Sequence, residues 1–274
     1  MKEINRLVHA ASTEPTIIPG FNIFGHEDAL AVVRAAESAN TPVLLMVNRD
    51  AHRVLAVEHW GALLGSIAKQ AKVPVGVHLD HCTNQALITK AIQSGFSSVM
   101  YDGSSLPLAE NIAHSQAIVQ IAHQQDVAVE GEIGSVPYID KPGDRMMLTL
   151  PDEAAAMYGQ SGLDWLAVSV GNVHRLTDRK VQIDLDRLHS IEAVCPMPLV
   201  IHGASGLDNE QLLQLKKSRV AKLNFGTALR MVFGNTLREA FDSHPAEFDR
   251  LKLMQDSVER VEETAFEILK SLKP

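Results

Sequence analysis

The stretch Val77-His78-Leu79-Asp80-His81-Cys82 closes an apolar, β-branched run that begins at Val73, so one carboxylate and two imidazoles arrive where a strand should finish. Two later runs end in the same way, Trp165-Leu166-Ala167-Val168-Ser169-Val170-Gly171-Asn172-Val173-His174 and Pro198-Leu199-Val200-Ile201-His202. Three histidines at three strand ends are candidate ligands for one zinc ion and would leave its fourth position open for substrate, as catalytic zinc sites do. Asp80, next to one of them, is a carboxylate able to move a proton on a group that the metal polarises.

A single histidine at the edge of a core is more often a hydrogen-bonded packing residue than a ligand, and this chain has 12. The three gain weight from their shared position. His9, His52, His59, His114, His123, His189 and His244 fall in helical or loop contexts, while His26 and His78 fit either description.

The elements that would position these groups come from an alternation of short apolar runs with amphipathic stretches of helical length. Eight such runs occupy 19–24, 42–48, 74–81, 98–104, 127–134, 165–174, 198–205 and 220–227. Between them lie stretches such as 27–40, 84–95, 109–125, 151–162 and 209–218, with apolar residues three and four apart. Strands buried on both faces read as continuous apolar runs, as these do, whereas half-solvated antiparallel strands alternate. The 274 residues are close to the ~250 typical of a (β/α)₈ TIM barrel. The expected architecture is therefore α/β, one barrel domain over 1–274 with a C-terminal helical extension from about Gly234. A doubly wound sheet is the alternative, but no Gly-x-Gly-x-x-Gly turn follows the first strand. In a barrel, His81, His174 and His202 would face one cavity from the third, sixth and seventh strands.

Hydrophobic residues make up 46% of the chain and mean hydropathy is +0.00, the balance of a soluble globular protein. No run approaches the ~18 apolar residues of a membrane span, and the start, Met1-Lys2-Glu3-Ile4-Asn5-Arg6, has no apolar signal core. A net charge of −8 with no basic stripe disfavours nucleic acid. Two cysteines, Cys82 and Cys195, fit a reducing cytoplasm without excluding a pair between them. Cys82 follows His81 directly, and adjacent strand residues point opposite ways, so it reads as a core thiol.

An acidic chain can still hold an anion through local donors. His202-Gly203-Ala204-Ser205-Gly206 and Asn224-Phe225-Gly226-Thr227 follow the last two strands, the usual phosphate site of these barrels. Small residues let backbone amides approach an oxyanion, and Thr227 at a helix start adds a hydroxyl and free first-turn amides.

The motifs HLDHC, YDGS, VEGEIG, GNVH, HGASGL and KLNFGT, in that order, resemble the class II, zinc-dependent ketose-bisphosphate aldolases, above all the short tagatose- and fructose-bisphosphate branch. The likeness runs from about Phe21-Asn22 to Thr227. It implies a lyase of carbohydrate metabolism in which His81, His174 and His202 hold zinc and Asp80 is the acid/base at the C4 oxygen. Asp102 and Glu132 match acidic positions that line the site and can contact a displaced metal. Gly203, Ser205, Asn224 and Thr227 match the part that holds dihydroxyacetone phosphate. Expected partners are a sugar phosphate and further copies of the chain, as homodimer or homotetramer, with no nucleic acid or membrane.

The chemistry agrees with the residue types. Aldol cleavage leaves an enediolate whose charge a Lewis-acid metal stabilises. Lys222 is the alternative electron sink, as a Schiff base, but Asn224, two residues on, is closer to the end of the strand.

The departures from the family bear on the substrate. The family usually has glycine after its second histidine ligand, contributing to phosphate and monovalent-cation binding, and here stands Arg175. Arg175 either binds an anion with its planar fork or fills the space a phosphate would take. The fifth-strand loop lacks the family's Gly-Gly and paired acids, which leaves Asp140 and Asp144 as weak candidates for a C3 base. Asn48-Arg49-Asp50 replaces a small Ser or Thr after the second strand, and Gly226 stands where many relatives carry an acid. Alternatives are a metal-dependent lyase or epimerase acting on a non-bisphosphate sugar acid, and a non-catalytic metal-binding barrel; the acid beside the histidines argues against the latter. The tail, 258–272, with Val261, Ala265, Ile268 and Leu269, should pack on the barrel or on another subunit.

Overall fold

The computed structural model describes residues 2–140, 143, 145–175 and 182–273. Eight parallel strands close on themselves in sequence order: β1 (Ile18–Asn22), β2 (Val43–Val47), β3 (Val75–Cys82), β4 (Ser98–Tyr101), β5 (Ala128–Ile133), β6 (Trp165–Val168), β7 (Leu199–Ile201) and β8 (Val220–Phe225). The helices are α1 (Lys2–Ala11), α2 (His26–Ala39), α3 (Arg49–Val54), α4 (Val57–Gln70), α5 (Gln85–Gln93), α6 (Leu108–His123), α7 (Pro151–Gln160), α8 (Leu185–Glu192), α9 (Asn209–Leu215), α10 (Thr227–Ser243) and α11 (Arg250–Leu272). This is the (β/α)₈ barrel with a C-terminal helix that the alternation of apolar runs predicts.

Both faces of the strands are buried, which is why runs such as Val43-Leu44-Leu45-Met46-Val47 are apolar throughout. Outward residues, among them Val43, Leu45, Val77 and Leu79, join the helices in one large core. Inward residues Ile18, Leu44, Met46, Ala128, Trp165, Ala167, Val200 and Ala221 form a second cluster inside the ring. That second cluster is completed by α1, whose Ile4, Val8 and Ala11 close the amino-terminal end of the barrel. Asn5 anchors the helix there by accepting from Trp165 Nε1 at 2.8 Å and donating to Asp164 at 2.8 Å. Gly76 makes room for it, since a Cβ at that position would lie 3.0 Å from Ile4 Cγ1.

One boundary differs from the sequence expectation. No break occurs at Gly234, because α10 runs unbroken from Thr227 to Ser243 and the last helix is a separate element. The last helix, α11, buries Leu253, Ser257, Val261, Ala265 and Leu269, one residue per turn, and packs on α2 and α10 of its own barrel. Both thiols are free and buried, and Cys82 faces the outer core. No helix among the described residues is long and apolar enough to cross a membrane.

The plug at the barrel floor is testable. Ile4→Ala removes a buried side chain whose cavity α1 cannot refill, and should cost about 2–5 kcal/mol in urea unfolding. A loss below about 1 kcal/mol would show that α1 is not docked in the barrel.

Candidate active site and metal centre

Strand β3 delivers two neighbouring side chains to the same cavity, which simple alternation forbids. Period two sends His78 and Asp80 inward and Leu79 outward. His81 should then point outward, but its φ is 50°, and the pairing with β4 shifts between Leu79 and Cys82. The left-handed residue swings its imidazole back over the barrel mouth beside Asp80. Such a conformation costs a non-glycine residue on the order of 1–3 kcal/mol and persists where the surroundings hold it. Here the His81 N–H is held by Met100 Sδ at 3.3 Å and its ring Nδ1 by Asp102 at 3.1 Å.

The other two histidines arrive differently from each other. His202 sits one residue beyond β7, as the sequence predicts. His174 does not end β6, which stops at Val168; the chain turns away at Gly171, whose φ is 100°, and His174 lies on the following loop. It is fixed there by an isolated parallel bridge to Tyr138, with His174 N donating to Pro137 O at 2.9 Å and Ile139 N to His174 O at 3.2 Å. The buried Asn172 side chain ties this loop to β7, accepting from Val170 N at 2.9 Å and donating to His202 O at 3.0 Å.

The three rings converge. Centroids lie 4.5 Å apart for His81 and His202, 5.0 Å for His81 and His174, and 5.8 Å for His174 and His202. One nitrogen of each, His81 Nε2, His174 Nε2 and His202 Nδ1, is buried and lacks a hydrogen-bond partner, as does Glu132 Oε2. Ligand atoms of His81, His174 and His202 lie within 4.8 Å of one another, and so do those of His81, Asp102 and Glu132. Burial, together with the charge of His81, holds His174 and His202 well below the usual imidazole range. At His81 burial is outweighed by Asp80 and by the hydrogen bond to Asp102, and its pKa rises well above normal. Burial and then the nearby Asp102 push Glu132 well above the carboxylate range. Burial acts to raise Asp102, but hydrogen bonds from His81 and Ser104 hold it below that range. Two neutral imidazoles thus present lone pairs beside a point where the acids favour positive charge. A divalent metal ion satisfies both, and the donor set fits one.

Asp80, 2% exposed, has both oxygens held by amides: Asn22 Nδ2 at 2.8 Å and Asn224 Nδ2 at 3.3 Å. Burial raises its pKa, and the charges of His81, His202 and Lys222 overcome that to lower it. Beneath the histidines lies a fully buried polar layer. Glu130 receives Lys222 Nζ at 2.8 Å and meets His202 Nε2 at 2.8 Å, while His78 bonds Ser98 Oγ at 2.9 Å. Lys222 is thereby engaged below the cavity, and His78 is a packing residue of this layer.

The loops after β7 and β8 meet at the same mouth. Gly203, at φ 69°, approaches the Val173 carbonyl too closely for any Cβ. Ser205 Oγ accepts from Ala228 N at 3.3 Å in the first turn of α10, which begins at Thr227. Gly203, Ser205, Asn224 and Thr227 line one cavity with Asp80, His81 and His174. Arg175 lines it too, at φ 58°, a left-handed backbone that favours glycine. Its guanidinium is bound by Asp50 at 2.7 Å and Asp140 at 2.6 Å and lies 5.4 Å over the Tyr138 ring, which stacks on His174 at 4.4 Å. Asp140 is therefore engaged by Arg175, and Asp144 lies outside the described residues.

The profile of the family described as fructose-bisphosphate aldolase class-II matches residues 2–273. The chain belongs to that family. Among solved structures this aldolase resembles the YdjI aldolase from Escherichia coli K12, at 27% identity over 98% of this chain and 96% of that one, with a TM-score of 0.84. A protein described as a fructose-1,6-bisphosphate aldolase from Coccidioides immitis matches at 26% identity, over 97% and 94% of the two chains, with a TM-score of 0.85. A fructose-bisphosphate aldolase from Campylobacter jejuni shares the fold, at 22% identity over 99% and 94%, with a TM-score of 0.80.

Several residues at the aldolase site carry no motif in the sequence. Asn22 ends β1 as His81 and Asn224 approach the ends of theirs, and its signals in the sequence were that position and its place at the start of the family likeness. Tyr138, Arg49, Arg53 and Arg230 reach the cavity from loops and helices whose direction the sequence leaves open. The backbone at Arg175 separates two substitutions that would otherwise look alike. Arg175→Gly should be more stable than Arg175→Ala by about 1 kcal/mol in urea denaturation, because only glycine occupies φ 58° without strain. Equal stability would mean that the backbone at this position is not left-handed.

Proposed function

We propose that this chain is a zinc-dependent aldolase that cleaves a phosphorylated ketose into dihydroxyacetone phosphate and an aldehyde, and runs the reverse condensation. What carries this reading is the convergence of three imidazoles, each with one nitrogen lacking a hydrogen-bond partner, beside a buried, amide-held carboxylate. His81 Nε2, His174 Nε2 and His202 Nδ1 are the ligands, three nitrogens being the protein complement of many catalytic zinc sites. Asp102 and Glu132, with His81, offer a second position for the same ion. Bound there, zinc supplies Lewis acidity for the negative charge that cleavage leaves on the ketose half.

The chain's own groups do the rest. Asp80 takes the proton of the C4 hydroxyl; the C4 oxygen becomes the aldehyde carbonyl as the C3–C4 bond breaks, and the electron pair stays with C3. Asn22 and Asn224 hold the carboxylate in place and keep both oxygens aimed. The phosphate lies against the Gly203–Ser205 loop and the start of α10, where Gly203, Ser205, Gly226 and Thr227 line the cavity.

The purified protein should hold about one zinc per chain. His174→Ala should abolish most of that metal by elemental analysis, whereas His189→Ala, on α8, should keep it; equal content in the two variants would sink the assignment. Asp80→Ala should retain zinc yet lose at least about 100-fold in cleavage rate, the scale of one proton-transfer group. Activity within about threefold of wild type would place the proton on another residue.

A further inference from the structure

Cleavage leaves an electron pair on C3, and dihydroxyacetone phosphate forms only when that carbon gains a proton. Asp80 acts at the C4 oxygen, so the step at C3 needs another group. Among the described residues lining the cavity, the acidic and aromatic side chains that transfer protons are Asp50, Asp80, His81, Tyr138 and His174. Asp50 is held by Arg175 at 2.7 Å and by Arg230 at 3.4 Å. The imidazoles, with Asp102 and Glu132 beside them, belong to the two metal positions. Tyr138 remains, and its placement supports it independently of that elimination.

The backbone of Tyr138 forms the isolated parallel bridge to His174, and its ring stacks on that imidazole at 4.4 Å with the planes 18° apart. Backbone and ring together fix the phenol against a histidine of the metal cluster. Burial raises its pKa, so it carries its proton at neutral pH, and it lies close enough to His81, Asp80, Arg49 and Glu132 to feel their charges. The Arg175 guanidinium lies 5.4 Å over the same ring, a cation that favours the negative charge growing on the phenol as its proton departs. We propose that Tyr138 is the catalytic residue at C3: its phenol donates a proton to that carbon in cleavage and removes it in condensation. In cleavage the phenol O–H bond breaks, and the pair released from C3–C4 forms the new C3–H bond. Asp80, which took the C4 hydroxyl proton, gives it to water, and the phenolate takes one from water. Both groups return to their starting forms with no net gain or loss of electrons. The inference rests on the aldolase reading, which makes C3 the reacting carbon.

Hydrogen exchange at carbon separates this step from breakage of the C3–C4 bond. Zinc-loaded wild type is incubated with dihydroxyacetone phosphate in deuterium oxide, and loss of the hydroxymethyl C–H signal is followed by proton NMR. Tyr138→Phe keeps the ring and deletes only the hydroxyl. It should retain zinc by elemental analysis, bind dihydroxyacetone phosphate within about threefold of wild type by calorimetry, and exchange at least about 100-fold more slowly, the scale of one proton-transfer group. Tyr158→Phe, at an exposed position on α7, should exchange at the wild-type rate. Thermal melts report whether each variant is folded. Exchange by Tyr138→Phe within about threefold of wild type would overturn the inference and leave the aldolase reading intact. Loss of fold, of zinc or of dihydroxyacetone phosphate binding in Tyr138→Phe would assign the hydroxyl a supporting role and overturn it too. A wild type that binds dihydroxyacetone phosphate, yet neither exchanges it nor cleaves a ketose, would overturn the aldolase reading and the inference with it.

Discussion

The left-handed backbone at His81 is the constraint on which the site depends. A strand offers one face in two residues, so a carboxylate and the imidazole next to it cannot share a cavity on regular β structure. One residue at φ 50° removes the conflict and places both at the carboxyl end of β3. The strain is offset locally by Met100 and Asp102, which hold the backbone N–H and the ring. Histidine is among the residues that enter this region more readily than most, so a type able to hold a metal is also one that tolerates the turn.

Below that turn the barrel interior is layered. Its floor is apolar and sealed by α1, its middle is the buried set of Glu130, Lys222, His78 and Ser98, and its top is the cluster of histidines and acids. The middle layer couples support to function. Glu130 occupies His202 Nε2, which leaves Nδ1 as the free nitrogen facing the other rings. A buried charge pair adds little net stability over an apolar one, but it fixes geometry because breaking either half leaves the other uncompensated. Outer partners of this kind set the tautomer and direction of a ligating histidine.

The mouth shows how an arginine is accommodated on a left-handed backbone. Arg175 takes a backbone position suited to glycine, yet its side chain gains two carboxylates and an aromatic face. The Tyr138 ring stacks between it and His174, so an imidazole, a phenol and a guanidinium form one column. The groups that bind Arg175 in this column belong to the protein itself.

By itself the sequence determined the barrel, since eight doubly buried strands must be continuous apolar runs and the connecting helices must show a 3.6-residue stripe. It also located Asp80, His81, His202 and the loops after β7 and β8, because strand ends are where apolar runs stop and polar types begin. Tertiary structure decided the rest. The apolar run before His174 continues past the end of β6, as Val170 and Val173 pack in a loop, so periodicity could not show that this histidine is held by a bridge to the β5 loop. The fit of α1 into the floor depends on Gly76 and Trp165, far along the chain. Arg175 and Asp50 are 125 residues apart, and their pairing exists only because ring closure sets β2 opposite β6. Local pattern reports which face of an element is buried; it carries no information on which distant side chains that burial brings within reach.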